Sequence, residues 1–350
     1  MTSPLATLIE SGTTLWLDSV NPKHIETSKT QGATGATSNP IIISGVINSG
    51  QYDDQLADLL QNDGLSTSEA TWALTDKIVA SAQQEFLPVW KTTQGDDGYV
   101  SFEVDPLLED PNNGMSHQQR VDQYIELGTK WSAGYENRLI KVPASPAGLE
   151  AVEELSARGV SLNVTLIFTM RQYQAARDAI WRGAARLDSL DKFKSVYSIF
   201  VSRVDVYTLQ HIPDLSPAAQ GEVGIVNAKL IWKENQEFWR NHPTPLRQQI
   251  VFASTGTKNP DDPPWKYLAA LAGSDIQTNP PAMNEAVEQS GQSFASEIDK
   301  LPPSAVIEEI ATKVDMQATE DFLMADGIKK FADPQKELLA VIESKRAALA

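Results

Sequence analysis

Short apolar segments alternate with longer helical segments along almost the whole sequence. About eight of them have strand character, and each after the first follows residues with helical periodicity. Parallel strands need crossovers of this kind, whereas antiparallel strands can be joined by short turns. The pattern predicts an α/β protein, either a (β/α)8 TIM barrel or a doubly wound open sheet. The predicted strands lie at 13–18, 31–40, 99–106, 137–144, 160–168, 195–203, 249–255 and 275–280.

Polar side chains inside these strands favour the barrel over the open sheet. A barrel brings residues of different strands together at the C-terminal strand ends, where its active site lies, whereas an open sheet would spread them out. In strand 160–168 the side chains alternate, so Leu162, Val164 and Leu166 should share one face and Asn163 and Thr165 the other. The polar residues in question are Asp18, Glu103, Lys141, Asn163, Thr165 and Ser198.

Lys141 lies in the middle of an apolar, branched strand, and lysine is rarely buried without a partner or a role. A neutral lysine amine attacks carbonyl carbons and forms a Schiff base. The alternative is a lysine whose ammonium group reaches water or pairs with a carboxylate. After this strand, Ser145 should cap a helix that has Pro146 in its first turn and ends at Gly159.

The C-terminal part of the sequence, residues 302–350, is helical and charged. Asp333-Pro334 is expected to break it before a last helix that ends at Ala350, because proline disrupts helix interiors. This last helix could cover the barrel or a partner subunit, so a homodimer is an open alternative. No internal repeat or low-complexity linker is present, and we expect one domain over 1–350 with 302–350 as its helical extension.

Charge and composition restrict the partners and the compartment. The formal net charge of −17 argues against nonspecific binding to nucleic acid or anionic membranes, but it leaves room for a small phosphorylated ligand in a local positive pocket. No cysteine, no leader-like start and no apolar run of about 20 residues are present, so we expect a cytoplasmic protein. We expect no metal, because the histidines lack metal-ligand spacing: His24, His117, His211 and His242.

Seven short motifs, each at a predicted strand or strand end, resemble the transaldolase family in their order and approximate spacing. The resemblance covers nearly the whole chain. The segment around Ser254 is similar to the longer bacterial and plant-type form of the family. It implies the barrel fold, a Schiff-base mechanism and no cofactor. The motifs are Leu17-Asp18, Thr37-Ser38-Asn39-Pro40, Phe102-Glu103-Val104, Ile140-Lys141-Val142-Pro143-Ala144, Asn163-Val164-Thr165-Leu166, Ser198-Ile199-Phe200-Val201-Ser202-Arg203 and Ala253-Ser254-Thr255.

The resemblance also implies roles for individual residues. Lys141 matches the lysine that attacks the ketone of a ketose phosphate, such as fructose 6-phosphate or sedoheptulose 7-phosphate. Asp18 matches the acid near the sugar hydroxyl that loses its proton, and Glu103 matches the acid that acts through a water held near Thr165. Residues matching the contacts to the dihydroxyacetone unit are Asn39 and Asn163, and those matching the phosphate contacts are Ser198, Arg203 and Ser254.

One departure from the family pattern concerns the phosphate site. The family often has an arginine shortly after the position of Ser254, where this sequence has Gly256 and Lys258. Lysine does not replace the paired hydrogen bonds of a guanidinium. Two alternatives to a transaldolase of the pentose phosphate pathway therefore remain. One is an enzyme like fructose 6-phosphate aldolase that releases dihydroxyacetone, and the other is a catalytically silent sugar-phosphate-binding barrel.

Overall fold

Eight parallel strands close into a ring in the computed structural model, which describes residues 3–61 and 64–349. Each strand pairs with its successor, and β8 pairs with β1, so no sheet edge remains open. The predicted (β/α)8 barrel is therefore confirmed, and the doubly wound sheet was wrong. The strands are β1 (Thr14–Leu17), β2 (Gly35–Ala36), β3 (Val100–Glu103), β4 (Arg138–Pro143), β5 (Leu162–Ile167), β6 (Ser195–Phe200), β7 (Gln249–Ala253) and β8 (Ile276–Asn279).

Helices surround the barrel and continue beyond it, as expected for the C-terminal part. A 3-10 helix also covers Pro106–Glu109. The α-helices are α1 (Pro4–Glu10), α2 (Pro22–Thr30), α3 (Pro40–Asn48), α4 (Asp53–Gln61), α5 (Thr67–Thr92), α6 (His117–Ser132), α7 (Pro146–Ala157), α8 (Met170–Ala184), α9 (Ser202–His211), α10 (Val223–Asn241), α11 (Lys266–Ala270), α12 (Pro281–Ser290), α13 (Ser304–Lys313) and α14 (Met316–Leu349). Within the described residues, none of these helices has the length and apolar character needed to span a membrane.

Local sequence signals at α7 are confirmed. The Ser145 hydroxyl accepts a hydrogen bond from the Gly148 backbone N–H at 3.1 Å, and Pro146 occupies the first turn. Gly159 follows the helix with a φ of 74°, the left-handed conformation that glycine adopts at little cost. The beginning of α7 is thereby fixed directly after β4, the strand that carries Lys141.

Two strand predictions near the barrel mouth were wrong. The strand predicted to reach Arg203 ends at Phe200, and Arg203 lies in the first turn of α9. No side chain among the described residues caps this helix, so the sequence lacked the usual start signal. In β5 the alternation fails at Leu166, which has a φ of 56° beside a register shift in its pairing with β6. Leu166 consequently packs with Phe200 and other apolar residues at the mouth, rather than with Leu162.

The break predicted at Asp333-Pro334 was also wrong, because α14 continues through Pro334. A proline inside a helix costs about 3 kcal/mol, since it removes one backbone hydrogen bond. Packing on both sides of the proline offsets this cost: Phe331 is buried before it, and Leu338 and Ile342 are buried after it. The predicted end of the helix at Ala350 lies outside the described residues.

We expect Asp205→Asn to become more stable relative to the wild type as the pH rises. Asp205 is buried in α9, and burial raises its pKa from the ordinary 3.8 to about 6. The native state therefore holds this proton more tightly than the unfolded chain, and stability is lost as the pH rises from 3.8 to about 6. Asparagine avoids this loss and can still accept the Gly224 N–H, which lies 2.7 Å from the Asp205 carboxylate.

Urea unfolding at pH 4 and pH 7 measures this effect. Because the unfolded aspartate is already more than half ionised at pH 4, the difference between variant and wild type should grow by about 2 kcal/mol between the two pH values. If the unfolding free energies of variant and wild type differ by the same amount at pH 4 and pH 7, the raised pKa of Asp205 is contradicted.

Candidate active site

The parallel register places three predicted site residues side by side inside the barrel. Glu103 of β3 pairs with Lys141 of β4, and Lys141 pairs with Asn163 of β5. Side chains alternate along a strand, so residues in register on neighbouring strands point to the same face. The resulting polar row lies towards the C-terminal ends of the strands, where barrel active sites are found.

Lys141 is only 5% exposed, and its ammonium group has two polar contacts. The Nζ atom lies 2.9 Å from Glu103 Oε2 and donates a hydrogen bond of 3.1 Å to the Ser38 carbonyl oxygen. The lysine therefore pairs with a carboxylate, and its ammonium group does not reach bulk water. Pairing with an acid is compatible with covalent chemistry, because an amine nucleophile needs a neighbour that can take its proton.

Asp18 is the second acid beside Lys141, and it directly follows β1. Its Oδ1 atom accepts a hydrogen bond of 2.8 Å from the Thr37 hydroxyl, which also contacts the Thr278 hydroxyl at 2.8 Å. Burial raises the pKa of Asp18, while the charge of Lys141 and the Thr37 hydrogen bond oppose the rise. Thr37 belongs to a motif singled out in the sequence, but its contact with Asp18 was not foreseen.

The Lys141 ammonium group acts on Glu103 as well as on Asp18. Burial raises the pKa of Glu103, the Lys141 ammonium opposes this rise, and the nearby Asp18 charge adds to it. The Lys141 charge therefore lies near the buried Glu103 carboxyl group and the half-buried Asp18 carboxyl group, and each of these acids holds a proton more readily than an exposed acid. Carboxyl groups in such surroundings can exchange protons with a substrate near neutral pH.

A chain of hydrogen bonds continues from this row along β5 and β6. The Ser198 hydroxyl donates to Asn163 Oδ1 at 2.7 Å, and Asn163 Nδ2 donates to the Ser101 hydroxyl at 2.9 Å. The buried Thr165 hydroxyl makes no hydrogen bond within the described residues, although it lines the cavity beside Lys141. Thr165 therefore has hydrogen-bonding capacity free for a water molecule or a ligand.

Two basic side chains besides Lys141 line the cavity, those of Arg203 and Lys258. Arg203 projects from α9, and its Nη1 atom makes no hydrogen bond in the described part of the chain. The nearest carboxylate, Asp326 Oδ2, is 3.9 Å away, and burial lowers the pKa of the arginine. Ser254, with a φ of 52°, lies across from α9 with its hydroxyl 3.0 Å from that of Ser202. Like Arg203 and Ser254, Lys258 lines the cavity.

The cavity has a volume of about 450 Å³, within the usual range of small-ligand sites. Two predicted residues lie behind its wall, where Glu103 contacts Lys141 and Asn163 contacts Ser198. The lining residues without a predicted role include Thr37, Thr278 and Phe331. Among the described residues, no group of three or more His, Asp or Glu side chains has an arrangement that could hold a metal ion. The predicted residues that line the cavity are Asp18, Asn39, Lys141, Thr165, Ser198, Arg203 and Ser254.

Asn39 is placed by the start of α3. Its Oδ1 atom accepts a hydrogen bond of 3.0 Å from the Ile42 backbone N–H and so caps the helix. Its amide nitrogen makes no hydrogen bond within the described residues, and Asn39 lines the cavity. Asn39 therefore combines a structural role at the helix end with a free donor at the cavity wall.

A buried lysine flanked by two acids at the strand ends of a (β/α)8 barrel is suited to Schiff-base formation. Comparison with known proteins leads to the same class. Residues 15–342 match the model of the Transaldolase/Fructose-6-phosphate aldolase family. The transaldolase of Parafrankia sp. (strain EAN1pec) is 31% identical over 100% of both chains. That of Acidothermus cellulolyticus is 31% identical over 98% of this chain and 96% of the relative.

A third relative, the transaldolase of Thermobifida fusca, is 30% identical over 99% of this chain and 100% of its own length. The family match and these full-length relatives agree with the motifs found in the sequence. The chain therefore belongs to the transaldolase/fructose-6-phosphate aldolase family.

Proposed function

We propose that this protein is a transaldolase of the pentose phosphate pathway. It moves a dihydroxyacetone unit from sedoheptulose 7-phosphate or fructose 6-phosphate to glyceraldehyde 3-phosphate or erythrose 4-phosphate. The observation that carries the proposal is one cavity lined both by Lys141, which lies beside two acids, and by Arg203 and Lys258. Such a cavity offers a nucleophile to the ketone and positive charge to the phosphate of the same sugar.

The first half of the reaction forms and uses the imine. The Lys141 amine attacks the ketone carbon, and Glu103, 2.9 Å from the amine, takes up and returns the protons of this step. A water molecule held at the free Thr165 hydroxyl relays protons between Glu103 and the substrate. Loss of water gives an iminium ion, which withdraws electrons from the neighbouring carbon–carbon bond.

The second half breaks one carbon–carbon bond and makes another. Asp18 accepts the proton of the sugar hydroxyl next to the cleaved bond, and the bond electrons move to the iminium nitrogen. An aldehyde leaves, and an enamine of dihydroxyacetone remains on Lys141. The enamine carbon then attacks the acceptor aldehyde, Asp18 returns the proton, and hydrolysis of the new iminium ion frees Lys141. Asn39 and Asn163 hold the hydroxyl groups of the dihydroxyacetone unit, and Ser198, which lines the cavity, contributes to phosphate binding as its motif implies.

Phosphate binding is assigned to the part of the cavity that Arg203, Ser254 and Lys258 line. Arg203 has a free Nη1 donor there, and Ser254 adds a hydroxyl group. Lys258 takes the place of the arginine that this sequence lacks after Ser254. Its ammonium group lies 3.7 Å from the point where a Cβ atom added to Gly256 would be, so it occupies the space that a side chain at position 256 would enter. It forms no ion pair within the described residues. The charge of the site is thus kept, while the paired hydrogen bonds of a second guanidinium are not.

A product assay separates this proposal from the two alternatives. Fructose 6-phosphate and erythrose 4-phosphate are supplied together, and sedoheptulose 7-phosphate and free dihydroxyacetone are both quantified. A transaldolase forms sedoheptulose 7-phosphate as the main product. Free dihydroxyacetone as the main product would indicate the aldolase alternative, and neither product from a folded protein would indicate a silent barrel.

The acidic limb of the activity profile should lie above the pH range of ordinary carboxyl groups. Asp18 must be ionised to accept a proton, and its raised pKa means that it becomes protonated at a higher pH than the usual 3.8. Activity is therefore expected to fall as the pH decreases towards the raised value. Thr37→Val removes a hydrogen bond that stabilises the ionised form, so this variant should move the limb to still higher pH.

A profile of kcat/KM against pH from 4 to 8 for wild type and Thr37→Val tests this assignment. The same limb in both proteins would contradict the role of Asp18 as the base that Thr37 supports.

We also propose that residues 1–350 form one domain, with 302–350 as its extension, in a cytoplasmic protein that forms a homodimer. The packing of α14 on the barrel helices supports the single domain. Light scattering after gel filtration measures the oligomeric state, and one cooperative calorimetric transition would support the single domain.

A further inference from the structure

Helix α14 crosses the mouth of the barrel and brings an aromatic ring to the cavity wall, close to both Lys141 and Arg203. Phe331 is 4% exposed, and its ring centroid lies 5.6 Å from Lys141 Nζ and 6.0 Å from Arg203 Cζ. The ring is part of the cavity wall. It is therefore the contribution of α14 to the surroundings of the lysine amine.

A glycine one turn earlier permits this close approach. A Cβ atom on Gly327 would lie 3.1 Å from Leu166 Cδ2 and 3.6 Å from Arg203 Nη1. Residues four positions apart share one face of a helix, so Gly327 and Phe331 both face the barrel. Leu166 meets the helix at this place because its positive φ turns it away from the regular strand face. The strand irregularity and the glycine together let α14 lie low over the mouth.

The helix is fastened on both sides of Phe331. Before it, the Thr169 hydroxyl donates a hydrogen bond of 2.6 Å to Glu320, which also pairs with Arg171. After it, Lys336 pairs with Asp110, and the buried residues Leu338 and Ile342 pack on the barrel helices. Anchors at both ends hold the ring over Lys141 as a fixed cover.

We propose that Phe331 shields the enamine on Lys141 from water, and so directs the dihydroxyacetone unit to the acceptor aldehyde. The inference rests on the proposed function and adds to it a residue that decides between transfer and release. Phe331 is a positioning residue, since it takes no proton and forms no bond. Burying the reacting centre beneath an apolar ring excludes solvent and with it unwanted proton transfer.

The enamine on Lys141 has two competing fates, transfer to the acceptor and release as free dihydroxyacetone. In transfer, the enamine carbon attacks the aldehyde carbon of the acceptor and a carbon–carbon bond forms. In release, the same carbon takes a proton from solvent, which gives the iminium ion of dihydroxyacetone. Water then adds to the iminium carbon, the carbon–nitrogen bond breaks, and free dihydroxyacetone and the Lys141 amine result. Only the second fate requires solvent to protonate the enamine carbon.

The partition between these fates tests the proposal. Wild type and Phe331→Ala receive fructose 6-phosphate and erythrose 4-phosphate, and the ratio of free dihydroxyacetone to sedoheptulose 7-phosphate is measured. The ratio should rise about tenfold in the variant, which corresponds to about 1.4 kcal/mol between the two barriers. In D2O, the released dihydroxyacetone should carry deuterium at the carbon that was protonated. A loss of stability alone would lower both products and leave their ratio unchanged.

Two further variants complete the design. Gly327→Val raises the helix without changing the ring, so it should also raise the ratio, and it replaces Phe331→Ala if that variant does not fold. Phe322→Ala removes a ring of α14 that is 46% exposed and contacts Tyr207 and His211, and it should leave the ratio unchanged.

The outcomes distinguish this inference from the function on which it rests. If borohydride traps an adduct on Lys141 in all variants but the ratio stays at the wild-type value, the shielding role is wrong and the proposed function stands. If borohydride traps no adduct in the wild type, the proposed function fails and the inference fails with it.

Discussion

Replacing Lys141 with alanine is expected to lower kcat/KM for transfer by on the order of 10^4-fold or more, because the imine that activates the substrate forms on Lys141. The fold should survive this change. Glu103 loses its cation, yet its pKa is already raised by burial, so it can take up a proton and remain neutral. Lys141→Met, which keeps much of the side-chain volume, should be equally inactive. Circular dichroism and initial rates of sedoheptulose 7-phosphate formation measure the two effects separately.

A second buried lysine provides a matched control at the opposite end of the barrel. Lys194 donates hydrogen bonds to the carbonyl oxygens of Asp96 at 2.8 Å and Arg247 at 2.6 Å, and burial lowers its pKa to about 8. It lies at the N-terminal end of β6, where barrel residues serve stability rather than catalysis. Lys194→Met should change stability but keep the kcat of the folded fraction. Full activity of folded Lys141→Ala would remove the imine mechanism.

Replacing Arg203 with alanine is expected to lower kcat/KM for ketose phosphates by roughly 10^2- to 10^3-fold. Two charge-assisted hydrogen bonds from a guanidinium to a phosphate contribute about 3–4 kcal/mol, since each is stronger than a neutral bond. Activity on unphosphorylated fructose should change little, because that substrate has no group to meet the arginine. Comparing the two substrates therefore separates loss of phosphate binding from general damage to the site.

The exposed Arg182, which pairs with Glu153 on the outer helices, offers the matched control for Arg203. Arg182→Ala removes the same charge at a distance from the cavity and should retain wild-type kcat/KM for both substrates. An equal loss on fructose and fructose 6-phosphate in Arg203→Ala would contradict the assignment of the phosphate site.

Much of the fold could be predicted because its signals are local. Buried parallel strands are short and apolar, and Ser145, Pro146 and Gly159 mark the ends of α7 through their own backbone preferences. Polar residues inside different strands also indicated a barrel that brings Lys141 and Glu103 together. The motifs then located every member of the predicted site in or directly behind one cavity.

The errors have a common physical origin in tertiary contacts. Helix α9 begins without a capping side chain, so nothing near Arg203 in the sequence marks its start. Leu166 takes a left-handed conformation that nothing in the regular alternation around it indicates. Pro334 remains inside α14 because residues on both sides of it are buried against the barrel. Phe331 reaches Lys141 only through the crossing of the mouth by α14, which leaves no local pattern.

The most direct test of the Schiff-base mechanism is borohydride reduction of the protein in the presence of fructose 6-phosphate, followed by peptide mass mapping. We predict a reduced dihydroxyacetone adduct on the peptide that contains Lys141, and on no other lysine peptide. An adduct absent from Lys141 in the folded, substrate-saturated protein would contradict the central claim that this lysine carries the transferred unit.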